Sequence, residues 1–92
     1  MMKKMKIKVM TEELFLELME DENTDWQGDN AYQGLQIIAK YTDNLIQGAG
    51  HDVIWSENIS VLIEKGITEE DVKALRKLNW MIEDESYLAC FV

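Results

Sequence analysis

The spacing of apolar positions changes along the chain, and each change marks an element. From Lys4 to Val9, Met5, Ile7 and Val9 alternate with Lys4, Lys6 and Lys8. That is the period of a half-buried strand whose lysines suit a sheet edge, with a helix running on into the next segment as the rival reading. At Thr11 the period becomes helical. Thr11 is a hydroxyl cap, Glu12 and Glu13 fill a first turn, and Met10 stands opposite Phe15 as a staple, so a helix is predicted over 11–21. Leu14, Phe15, Leu18 and Met19 form its inner stripe, which leaves Glu13, Glu17, Glu20 and Asp21 outside as a row of like charges that costs helix stability.

Residues 22–29 read as a loop around Trp26, a side chain that either folds back as a plug or stands out as an anchor; the plug is favoured. Asn30 is the expected cap of a second helix, with Gln33 reaching back to it, and Ala31, Leu35, Ile38, Thr42 and Leu45 share its inner face. This is the expected longest and most buried helix. Gly34 inside it implies a close neighbour, and Gly48 and Gly50 offer a left-handed stop. His51 to Trp55 reads as a strand covered on both faces.

In residues 56–66 Ile59, Val61 and Ile63 alternate like a strand, yet Ser56 or Asn58 can cap and Gly66 can end a short helix; helix is preferred. Thr68 caps the next helix, Asp71 closes its box, Ile67 and Val72 staple it, and Lys73, Arg76 and Lys77 gather toward its end near Leu78. Trp80 to Glu83, a polar turn and Tyr87 to Val92 form a C-terminal hairpin, which needs a third strand, the one at 51–55. The predicted whole is one α+β domain over 1–92. A small antiparallel sheet, with the N-terminal strand as a further candidate, is covered by three or four helices.

Composition narrows the function. The chain has 92 residues, no proline, 47% apolar residues and a net charge of −9. It holds enough apolar side chains for one core and no run of about 18 apolar residues for a membrane span. The charge repels nucleic acid and anionic lipid. It is also local: residues 1–10 carry four lysines and no acid, and residues 11–29 carry eight acids and no base. Such a block is either a solubilising face or a docking surface for a basic partner. The single cysteine, Cys90, forms no internal disulfide, and a reducing cytoplasm is expected.

Catalytic chemistry finds little support. Cys90 lies in an apolar run that raises its pKa, and His51 is the one histidine available as a base. Ser56, Ser60 and Ser86 have cap or turn roles. His51-Asp52 is the dipeptide of the HD phosphohydrolases without their further histidines, and Asp25 to Asp29 lacks the spacing of a calcium loop. Glu13/Glu17 and Glu69/Asp71 are accounted for by a surface face and a cap, and Gly48-Ala49-Gly50 leads into a strand, unlike a phosphate cradle. No cofactor, no metal site and no enzyme activity are expected.

In Asn30 to Tyr41, Ala49 to Ile54, Gly66 to Val72 and Leu78 through Val92, the chain resembles small acidic proteins encoded by bacteriophages and prophages. The likeness covers residues 11–92 in overall pattern, and no catalytic residue is carried over. It implies a bacterial cytoplasm during phage replication or lysogeny, where small acidic phage proteins often inhibit host enzymes, anti-CRISPR and other anti-defence proteins among them.

The leading expectation is therefore a non-enzymatic interaction protein. Glu13, Glu17, Glu20 and Asp21, with Glu22, Asp25, Trp26 and Asp29, would occupy a basic groove on a nucleic-acid-handling protein, carboxylates standing in for phosphates. The alternatives are a small-ligand or divalent-metal module around His51, Asp52 and Trp55, and a homo-oligomer formed through an exposed edge or the Trp26 loop.

Overall fold

Thr11 caps the first helix as its hydroxyl predicts, accepting the amide of Leu14 at 3.1 Å, and α1 runs Glu12–Met19. The computed structural model describes residues 10–22, 29–84 and 86–91. The proposed N-terminal strand, Asp25 and Trp26 lie outside them. Beyond α1 come α2 (Asn30–Ile38), β1 (Gly48–Ala49), β2 (Val53–Asn58), α3 (Ile59–Glu64), α4 (Glu69–Lys77), β3 (Met81–Glu83) and β4 (Tyr87–Phe91). The four strands form one antiparallel sheet in the order β1-β2-β4-β3. The α+β architecture and the C-terminal hairpin with its third strand are as the sequence predicts.

The helices cover the sheet face that carries Ile54, Ile82, Leu88 and Cys90. Phe15, Ile38, Ile59, Leu62, Val72, Leu75 and Trp80 complete the core between the layers, each essentially sealed from solvent. Two helices end on left-handed residues: Gly66 (φ +90) after α3, where the Ile67 amide returns to the Leu62 carbonyl, and Asn79 (φ 69) after α4, where the Trp80 amide returns to Leu75. Asn58 caps α3 by accepting the Ser60 amide at 2.9 Å, which settles residues 59–64 as helix.

Several local expectations are corrected. Asn30 is not the cap of α2: Asp29 holds that position, and Asn30 is buried in the first turn, its amide donating to the Leu78 carbonyl at 2.7 Å and to Cys90 Sγ at 3.4 Å. A long-range polar use has displaced the local one, and Gln33 accordingly reaches back to Asp29, at 2.8 Å. Nor does α2 continue toward Gly48. It ends at Ile38 in a tightened turn, the Lys40 and Tyr41 amides returning to the Ile37 and Ile38 carbonyls, and the side chains beyond are held elsewhere: Lys40 and Tyr41 by Asp71, and Thr42 and Gln47 by the buried carboxylate of Glu57 at 2.8 and 2.7 Å.

Gly48 and Gly50 are not a left-handed stop. Gly48 pairs with Trp55 in the sheet, and the indole lies across both glycines, so that a Cβ would come within 3.3 Å of the ring at either position. The strand expected at 51–55 is shifted to Val53–Asn58, with a register shift between Trp55 and Asn58. Asp71 does not close a capping box. Thr68 accepts the Asp71 amide at 3.1 Å, but the Asp71 carboxylate turns to Tyr41 and Lys40.

Candidate functional site

The helical repeat of about 100° per residue places Glu13, Glu17 and Glu20 within an arc of roughly 60° on α1. All three are exposed, on the side away from buried Phe15 and Met19. Glu12, Asp21 and Glu22 are also exposed, so the acidic face extends past the helix end. α1 carries acids in its first turn and no base in its last. Glu20 to Glu22 therefore crowd the negative end of the helix dipole, where a cation is favoured.

One edge of this strip is polarised by the protein itself. A cleft of about 430 Å³ is lined by Glu17, Leu18, Glu20 and Asp21 from one side and by Lys73, Arg76 and Lys77 of α4 from the other. Arg76 Nε donates to the Asp21 backbone carbonyl at 2.6 Å and its Nη1 to the Trp80 carbonyl at 2.9 Å, which fixes the guanidinium between α1 and the core. Lys73 pairs with Glu69 at 3.4 Å. Among the described residues, the basic side chains Lys73, Arg76 and Lys77 line the strip's inner edge, beside Glu17, Glu20 and Asp21. Asp29, predicted with the strip, instead lines the groove between α2 and α4.

His51 and Asp52 are exposed in the bend between β1 and β2. Trp55 is half-buried over Gly48 and Gly50, and its indole N–H has no hydrogen-bond partner among the described residues. Among the described residues, no group of three or more His, Cys, Asp and Glu side chains is placed to hold a metal ion, and no helix is long and apolar enough to cross a membrane.

Two polar clusters were not foreseen. Asp71 accepts from Lys40 at 3.1 Å and from the Tyr41 hydroxyl, which joins the end of α2 to the start of α4. Burial pushes the Asp71 carboxyl up, but the hydrogen bonds from Lys40 and Tyr41 and the Lys40 charge outweigh it and hold the group below the ordinary carboxylate range. Burial, then the bond to Asp71, raises the Tyr41 phenol. The second cluster is Glu57, a buried carboxylate satisfied by Thr42, Gln47 and the Asn58 amide. Cys90 is buried, and burial pushes its thiol up against the smaller opposing effect of Asn30. No sequence signal pairs residues about 30 positions apart, so Tyr41 and Asp71 were illegible as partners; the i, i+3, i+4 spacing of Gln33, Gln36 and Lys40 along the second helix was available as a sign of an exposed face.

Compared with protein families, curated proteins and solved structures, the chain matches none.

Proposed function

We propose that the protein is a non-enzymatic interaction module that docks the acidic face of α1 onto a basic surface of a protein partner. The supporting observation is the common exposure of Glu13, Glu17 and Glu20 within one arc of a capped helix. Carboxylates one turn apart, about 5–6 Å, match the reach of Lys and Arg side chains placed for phosphate oxygens. The acids at the C-terminal end of α1 oppose its own dipole, a stability cost that a docking role explains. Glu13 and its outer neighbours supply the phosphate-like edge, while Lys73, Arg76 and Lys77 bound the footprint and discriminate against partners that are basic throughout.

The partner class is a nucleic-acid-handling or defence protein of a bacterial cell, the setting of the phage-like sequence pattern. The immobilised protein should capture this partner from a bacterial lysate at low salt, and added duplex DNA should elute it, because both ligands compete for the same cations. A captured partner that duplex DNA leaves bound contradicts the phosphate-mimic reading.

A further inference from the structure

On the far flank of α4 from the acidic strip, α2 presents a second face with its own logic. A groove of about 960 Å³ between α2 and α4 is lined on the α2 side by Asp29, Tyr32, Gln33, Gln36, Ile37 and Lys40. Tyr32 is 63% exposed, its hydroxyl accepting from Gln36 at 3.3 Å. On its other side lies an apolar hollow of about 230 Å³ formed with Leu35, Ala39 and Leu45. An aromatic ridge flanked by two hollows is the composition of a protein contact centre.

The order of charges along α2 points to the occupant, with Lys77 of α4 adding a second cation on the groove's other wall. Asp29 stands at one end of this face, Lys40 at the other, and Gln33 and Gln36 straddle the middle. We propose that the face docks a second copy of the chain, α2 against α2 and antiparallel across a two-fold axis. In that arrangement each Asp29 meets the other copy's Lys40, the glutamines meet amide to amide around the axis, and each Tyr32 ring enters the hollow of Leu35, Ala39 and Leu45 opposite. A parallel arrangement would set Asp29 against Asp29 and Lys40 against Lys40. Lys40, already 2.9 Å from Asp71 in its own chain and still about half-exposed, bridges two carboxylates in the pair. The contact leaves Glu13, Glu17 and Glu20 free, with Lys77 bordering both the groove and the cleft beside the strip, and the pair carries two such strips, so a partner with two basic sites gains avidity.

Sedimentation velocity over a concentration series tests this. The full chain should self-associate as a dimer. Asp29→Lys alone and Lys40→Asp alone should each weaken the dimer about tenfold or more, since each sets like charges at both ends. Mixed together, the two variants should form a heterodimer, because one then carries lysine and the other aspartate at both positions. Tyr32→Ala, at an exposed site, should weaken the dimer without any change of charge. A monomeric wild type, a dimer indifferent to these substitutions, or folded variants that do not associate on mixing would each overturn the proposal. A chain carrying Glu13→Lys, Glu17→Lys and Glu20→Lys should keep its dimer, which separates failure of this contact from failure of the docking strip.

Discussion

The indole of Trp80 lies against the backbone of Gly34 and donates its Nε1 hydrogen to the Asn30 carbonyl at 3.1 Å. Trp80 is fully buried, and a Cβ at residue 34 would overlap its five-membered ring. Glycine here exchanges helix propensity for a close approach of α2 to the residue that leads from α4 into β3. Gly34→Ala should regain up to about 1 kcal/mol of propensity and lose more to overpacking, for a net destabilisation of about 1–2 kcal/mol. Urea denaturation checks it; an unchanged or higher midpoint would show that the indole can move aside.

Ser56 offers the opposite case. Its hydroxyl is sealed in the core with no hydrogen-bond partner among the described residues. A buried donor without an acceptor has given up water for nothing, so Ser56→Ala should be neutral or stabilise by up to about 1 kcal/mol. A loss of more than that in the same denaturation experiment would reveal a bond the hydroxyl makes.

Acid should weaken the α2–α4 junction. Asp71 has a folded pKa below its unfolded value of about 3.9. Its contribution is therefore complete above the unfolded pKa and is lost as pH falls through the lower folded pKa. Asp71→Asn should lower stability at pH 7 and flatten the decline measured between about pH 5 and pH 2. Parallel pH profiles of the wild type and the variant would contradict the cluster's role.

Cys90 should be slow to react. It is buried, its thiol is pushed up by that burial, and thiolate is the reactive form. Ellman's reagent at pH 8 should label native protein far more slowly than protein in denaturant. Equal rates would place the thiol at the surface.

The legible parts of this fold are those where one short stretch of chain decides the outcome. Thr11 and Thr68 cap the helices they precede, Gly66 ends α3, and the two C-terminal strands pair across a polar turn, since each depends on neighbours no more than eight residues away. The errors share a different cause. Asn30 has the chemistry of a cap but serves Leu78 and Cys90; Asp71 has the spacing of a box residue but serves Tyr41 and Lys40; Gly48 has the place of a stop but makes room for Trp55. In each a tertiary partner outbid the local one. The acidic strip was legible as a helical face, but its inner edge was not, because Arg76 reaches α1 only through the packing of α4.

In the proposed docking mode the carboxylates of α1 act together on a basic partner. Its most direct test is retention of the captured partner by the wild-type chain and by a chain carrying Glu13→Lys, Glu17→Lys and Glu20→Lys, at equal protein and low salt. The wild type should retain the partner, less so as salt rises, and the charge-reversed chain should lose it while keeping its fold, because all three positions are exposed. Equal retention by the two folded chains would contradict it.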